Sequence, residues 1–252
     1  MDDARNQVRR ELSGEHGDVV RITLNRPEVR NAQTPQMWDY LAEIGESLPD
    51  EARFVILRGE GVDFSAGLDR NIFADTSADG MIAALKRDPD AFIVQAQRAF
   101  RVWTQIPQIV IAAVQGNVIG AGFQLALASD LLIAGPDARF ALRETSIGLV
   151  PDLGGTGALI DAIGYRRTFA MCATGDFLSA EQARDAGIVD EIAPDLETAI
   201  EQRISRLREV NAGSLTDLKR LLRTVASDQD SWSDERRIQI ERLQALFGSS
   251  QP

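Results

Sequence analysis

Between residues 19 and 134, short apolar runs alternate with segments of helical period. Phe54-Val55-Ile56-Leu57, Ile109 to Val114 and Leu131 to Ala134 are continuously apolar and too short for packed helices, so they read as buried strands. Val19 to Leu24 is rich in β-branched residues and partly alternating, a fourth strand, which Asn25-Arg26-Pro27 ends. Between these runs lie helices. Thr34-Pro35 is an N-cap followed by proline at the first helical position, and Met37, Leu41, Ile44 and Leu48 form one stripe behind it. Residues 91 to 104 place Phe92, Ala96, Phe100 and Trp103 on one side, and Gly120 to Ala128 is an apolar helix opened by glycine. Strands and helices joined by short connections predict an α/β fold with helices covering a buried sheet. Ser179 with Gln182 has the capping-box pattern, and Gly187 stops that helix. From about residue 196 the character changes to three amphipathic helices with the stripes Ile200/Ile204/Leu207, Leu215/Leu218/Leu222 and Ile240/Leu243/Leu246/Phe247. The expected division is an α/β core over 1–195 and a helical region over 196–252.

Composition removes several kinds of chemistry. The chain has one histidine, His16, and one cysteine, Cys172, so neither a zinc site of several Cys and His ligands nor a disulfide is expected. His16 is expected in an exposed N-terminal segment and Cys172 in the packed core. A net charge of −11 argues against a nucleic-acid partner, which needs a basic stripe. The N-terminus is charged and has no apolar signal region. The most apolar region, Ile106 to Ala128, is broken by Gln108, Gln115, Asn117 and Gln124, so no membrane span is expected and a cytoplasmic placement follows.

Three segments are placed to carry chemistry. Gly116 to Gly122 lies between a strand and a helix, where backbone N–H groups bind anions, although it is neither a Walker motif nor a full dinucleotide fingerprint. Phe64-Ser65-Ala66-Gly67-Leu68-Asp69 also follows a strand and, taken alone, reads first as a turn into a helix with Asp69 as its cap. The loop from Arg143 to Thr156 holds Glu144 and Asp152 among glycine, proline and apolar residues. Desolvation there suits a general base, while an Arg-paired carboxylate at 144 and an N-cap at 152 are the plainer readings.

Taken in order, these segments resemble the crotonase superfamily, the enoyl-CoA hydratase/isomerase family. The resemblance rests on Asn25-Arg26-Pro27 with Arg30-Asn31-Ala32, on Phe64 to Asp69, and on Ala113-Val114-Gln115-Gly116 through Gly120-Ala121-Gly122. It continues in Ser129-Asp130, in Gly148-Leu149-Val150-Pro151 with Gly154-Gly155-Thr156, and in Thr174-Gly175, Leu178-Ser179-Ala180, Ala183 and Gly187-Ile188-Val189. It implies a spiral of ββα units, a C-terminal helical region that trimerises, and a homotrimer or a dimer of trimers. The implied substrate is an acyl-CoA thioester, with coenzyme A part of the substrate and no other cofactor or metal. The N–H groups of Leu68 and Ala121 would form an oxyanion hole. Such donors stabilise the charge that a thioester oxygen gains when its α-proton leaves. Arg26, Glu28, Val29, Arg30, Ala66, Gly67, Asp69 and Gly120 would lie along the CoA and thioester. Residues 70 to 90, with Asn71, Phe73 and Met81, would form a variable stretch over the acyl group.

The chain departs from the family pattern at one acidic position. Hydratases of the family use two glutamates on one water. The second aligns with Glu144, but the first aligns with Gln124, which carries no exchangeable acid proton. A single carboxylate suffices for moving a double bond, so isomerisation is favoured over hydration, with Gln124 left to orient a water. Asp152 aligns with an acid of dienoyl-CoA isomerase-like members and offers a second carboxylate. The alternatives are other thioester chemistry of the superfamily (hydrolysis or C–C cleavage) and acyl-CoA binding without catalysis. Arg242 and Phe247 are the nearest match to a C-terminal cation–aromatic pair and receive no role.

Overall fold

The computed structural model describes residues 2–14, 17–74, 77, 80–226 and 231–248. In chain order the elements are α1 (Asp2–Gln7), β1 (Val8–Ser13), β2 (Val19–Leu24), α2 (Pro35–Glu46), β3 (Phe54–Gly59), α3 (Met81–Arg87), α4 (Pro89–Gln105) and β4 (Ile109–Val114). There follow β5 (Asn117–Ile119), α5 (Ala121–Leu127), β6 (Leu131–Ala134), β7 (Arg139–Ala141), α6 (Gly155–Thr174), β8 (Leu178–Ser179), α7 (Ala180–Asp185) and β9 (Glu191–Ile192). The chain closes with α8 (Leu196–Arg208), α9 (Ala212–Ala226) and α10 (Ser231–Gly248).

Two sheets form. The larger has the order β1-β2-β3-β4-β6-β9 and the smaller β5-β7-β8. Apart from β1, which pairs antiparallel with β2, the strands of the larger sheet run parallel. Its central strands β3 and β4 are apolar throughout except for Arg58 and Gly59 at the end of β3, because both faces are covered. Val55, Leu57, Val110, Ala112 and Val114 face a core shared with α2, α4 and α5. Phe54, Ile56, Ile109, Ile111 and Ala113 face a second core closed by Ala199, Ile200 and Ile204 of α8. Isolated bridges Gln33↔Leu68 and Ser65↔Val118 extend the smaller sheet's direction of pairing. Successive turns of the chain therefore each touch both layers, which is the ββα spiral expected.

The caps read from the sequence are present. Thr34 accepts from the Met37 N–H at the start of α2, and Ser179 and Gln182 form a reciprocal capping box on α7. Four strands and the last three helices stand where the apolar patterns put them. Five strands were not anticipated. β1 is a charged edge strand, Val-Arg-Arg-Glu-Leu-Ser, and β5, β7, β8 and β9 are three residues or fewer, too short for a period. Helix α6 was also not anticipated: Gly164, at φ 76°, kinks it, so its two halves share no single apolar stripe. Cys172 is half-buried and packs at the margin of the main core rather than inside it. His16 and the side chains of Arg242 and Phe247 lie outside the described residues. Among the described residues no helix is long and apolar enough to cross a membrane, and no cluster of His, Cys, Asp and Glu is arranged to hold a metal.

Candidate active site

Two glycine turns, both reaching the smaller layer, face each other. Gly67 has φ 85° and Gly120 has φ 55° with ψ −122°, a region that side-chain-bearing residues avoid. Their approach is close. A Cβ at Gly67 would lie 2.7 Å from the Ile119 carbonyl oxygen and 3.4 Å from the Ala121 nitrogen. Ladder bonds flank both turns. Gln33 N–H donates to Gly67 C=O and Asp69 N–H donates to Gln33 C=O, on either side of Leu68. Gly120 N–H donates to Ala141 C=O, and Ala121 opens α5, where a helix has no internal acceptor for its first N–H groups. The N–H groups of Leu68 and Ala121 take no part in these ladder bonds.

A carboxylate stands opposite. Glu144 begins a short 3-10 helix, Glu144–Ile147, that ends at Gly148 in the left-handed region. A Cβ on Gly120 would lie 3.5 Å from Glu144 Oε1, which places the carboxylate beside the second glycine turn. Gln124, one turn into α5 and 2% exposed, donates from Nε2 to Glu144 Oε1 at 2.9 Å. Its own carboxamide oxygen accepts from Leu153 N–H at 2.9 Å and Gly155 N–H at 3.3 Å. The expectation that Gln124 would orient a water through its C=O is therefore corrected: that oxygen is committed to the turn that opens α6.

Ala66, Gly67, Leu68, Gly120, Ala121, Gln124, Glu144 and Asp152 line one cavity. Its far wall is apolar: Trp38, Phe73, Met81, Leu85, Phe92, Ile93, Leu149 and Leu243. Met81, Leu85, Ile93, Leu149 and Leu243 form their own buried cluster, so α3, α4 and α10 close that end together. Of the stretch expected over the acyl group, Phe73 and Met81 reach the cavity. Asn71 does not: its N–H donates to Asp69 Oδ1, and its side chain is exposed.

The residues expected along CoA divide into two groups. Arg26 is turned inward, donating to Ala32 C=O at 2.7 Å and to Asp69 Oδ2 at 2.9 Å, so this pair clips the Asn25–Ala32 turn to the Gly67 turn. Glu28 and Arg30 are exposed and Val29 half-buried; Arg30 keeps 67% of its side chain exposed, 3.9 Å from Asp63 Oδ2. Ala66 N–H donates to Arg30 C=O, which fixes that turn beside the cavity.

The supporting network escaped sequence reading. Trp38 Nε1 donates to Gln33 Oε1, Gln33 Nε2 donates to Ser65 Oγ, and Ser65 Oγ donates to Asn31 C=O and accepts from Gly67 N–H. Asn31, fully buried, donates to the carbonyls of Glu60 and Asp63. A buried polar run of this kind holds the Gly67 turn rigid. The polar letters in Asn31-Ala32-Gln33 were the available signal. Gln239 and Leu243 reach the cavity from the far end of the chain; Leu243 stood out only as part of a helical stripe, and nothing in the sequence tied either residue to the site.

The enoyl-CoA hydratase/isomerase family model matches residues 14–251. The chain belongs to this family. A 2,3-dehydroadipyl-CoA hydratase of Escherichia coli K12 is 33% identical over 210 residues, 81% of this chain and 78% of that protein. A human mitochondrial Delta(3,5)-Delta(2,4)-dienoyl-CoA isomerase is 31% identical over 207 residues, 78% of this chain and 62% of its own. A Thermobifida fusca YX protein assigned as an enoyl-CoA hydratase, solved in complex with acetoacetyl-CoA, superposes with a TM-score of 0.81 at 33% identity, covering 98% of this chain and 96% of that one. The family's crotonase-type fold, with a helical C-terminal region, is the fold described above.

Proposed function

We propose that this family member is an acyl-CoA double-bond isomerase in which Glu144 is the proton carrier. The observation that carries this reading is the pairing of one carboxylate, Glu144, with a carboxamide, Gln124, beside the two glycine turns. Glu144 takes a proton from C2 of a 3-enoyl thioester. The C–H electrons move to C2, and the thioester oxygen gains the negative charge, held by the N–H groups of Leu68 and Ala121. The same carboxyl returns the proton at C4 as the C3–C4 double bond shifts to C2–C3, so atoms and charge balance. Each backbone donor is worth about 2.7–4 kcal/mol to such an oxyanion. A second reading, in which Asp152 shares the acid–base work, is supported by its place on the same cavity wall.

Coenzyme A is bound as part of the substrate. Arg30 is an exposed cation placed for its phosphates, with Glu28, Val29, Ala66 and Asp69 beside it, while Arg26 holds the turn that presents them. The acetoacetyl-CoA complex of the similar Thermobifida protein supports an acyl-CoA thioester as the substrate. The division into a core over 1–195 and a helical region over 196–252 belongs to the same proposal, as do a cytoplasmic location and a homotrimer or dimer of trimers. Exposed Tyr165, stacked on exposed Phe169, and exposed Leu218, Leu221 and Leu222 of α9 support assembly.

The test is an assay of purified protein with 3-enoyl-CoA and 2-enoyl-CoA, with and without Glu144→Gln. A general base contributes about 10²–10⁴-fold, and a loss of that size in isomerisation is expected. Turnover of 3-enoyl-CoA that survives the substitution overturns the reading.

A further inference from the structure

The bonds of Gln124 carry an inference that rests on Glu144 being the base. Its carboxamide is buried and bonded at both ends: the nitrogen to Glu144 Oε1, the oxygen to Leu153 N–H and Gly155 N–H. The two oxygen bonds have a directional consequence. Backbone N–H groups tolerate only an acceptor, so they fix which end of the amide faces Glu144, and that end can only donate. Position 155 must be glycine for the arrangement to fit. A Cβ there would lie 2.7 Å from Gln124 Cγ and 3.1 Å from its Oε1. The side chain thus joins three separate pieces: α5, the 3-10 turn bearing Glu144, and the turn that opens α6.

We infer that Gln124 is a positioning residue that clamps the Glu144 carboxylate in one rotation and restricts the site to a single-carboxylate proton shift. The clamp holds Oε1 against α5, so the carboxylate cannot swing between the α-carbon and solvent. It is also inert to proton transfer, because a carboxamide neither takes nor releases a proton at working pH. Hydration of a 2-enoyl thioester needs a water that gives a hydroxyl to C3 and a proton to C2, with groups around it to accept and supply that proton. A donor-only amide at this corner does not take part in that exchange.

Gln124→Leu and Gln124→Glu test this, with thermal unfolding run alongside. Gln124→Leu removes the clamp. Its isomerisation kcat is expected to fall about 10²-fold, the scale of a group displaced by about 1 Å, with KM within about threefold. Exchange of the α-proton of a saturated acyl-CoA with D2O, followed by NMR, is expected to slow in parallel. Gln124→Glu is isosteric and keeps an acceptor for Leu153 and Gly155. It brings a second carboxyl against Glu144, and the two share one proton. It is expected to retain α-proton exchange and to acquire hydration of 2-enoyl-CoA at least tenfold above the unsubstituted protein. Wild-type kcat in a folded Gln124→Leu protein overturns the clamp. No gain of hydration in Gln124→Glu overturns the restriction. Glu144→Gln separates these failures from that of the underlying reading: if it still turns over while the Gln124 variants are impaired, the base is elsewhere.

Discussion

At the scale of single residues, the site depends on what is missing from Gly67 and Gly120. The two glycines fail differently when a methyl group is added. At Gly120 a Cβ finds ordinary contact distance to Glu144, so the cost is backbone strain at φ 55°, ψ −122°. At Gly67 the Cβ would meet the Ile119 carbonyl oxygen at 2.7 Å, so the turn must move as well. Gly67→Ala is therefore expected to be worse than Gly120→Ala. Strain of about 1–3 kcal/mol should appear in thermal unfolding of both, and Gly67→Ala should lose kcat beyond that because it carries the Leu68 N–H away. Equal kcat in the two variants would contradict the argument. These glycines were legible in the sequence as turns after strands, although the letters left open whether the turns served structure or chemistry. The commitment of Gln124 was not legible. Its oxygen bonds to residues 29 and 31 positions away, across two further strands, and no local pattern reports a contact of that span.

At the scale of elements, helix α9 is held by charge more than by its stripe. Lys219 is 8% exposed, donates to the carbonyls of Gln108 at 2.7 Å and Trp103 at 3.2 Å, and pairs with Asp130 at 2.7 Å. Arg223 also pairs with Asp130, whose other oxygen accepts from Val110 N–H of β4. Burial holds the Lys219 ammonium below the ordinary lysine range, and Asp130 opposes that shift. Lys219→Met leaves two carbonyls and part of a carboxylate without their donor. A loss of about 1.5–3 kcal/mol in urea unfolding is expected, with α9 the first segment to exchange its amide hydrogens. An unchanged midpoint would mean that the apolar stripe suffices. Of that stripe, Leu218 and Leu222 proved largely exposed, while Leu215 packs against the second core. The pattern located the helix correctly, but only the polar residues told how it is fastened. The same limit explains α6 and the short strands: a kinked helix and two-residue strands have no period to read, so their places were set by tertiary pairing.

At the scale of the whole molecule, an ion pair ties the segment that leads into β2 to the end of α8. Asp18, just before β2, accepts from Nε and Nη2 of Arg208 at the end of α8, 190 residues later. The Arg208 guanidinium, bonded and close, holds the Asp18 carboxyl below its ordinary value of 3.8, against the opposing effect of burial. The sign follows from linkage. A carboxyl whose folded pKa lies below its unfolded one contributes stability above the unfolded value and loses it as pH falls through the folded one. The contribution is therefore full near neutrality and fades below about pH 4. Asp18→Asn should lower the unfolding temperature at pH 7 and flatten its dependence between pH 5 and 2, roughly the range over which a paired carboxylate titrates. Parallel curves for the two proteins would show that the tie contributes nothing.

The bridge between Ser65 and Val118 has a geometric consequence. It joins the segment before the Gly67 turn to the strand before the Gly120 turn, with Ser65 N–H donating to Asn117 C=O and Ile119 N–H donating to Ser65 C=O. The placing of one turn against the other is therefore set by main-chain bonds rather than by any side chain, so the side chains of the surrounding walls can change without shifting one turn past the other.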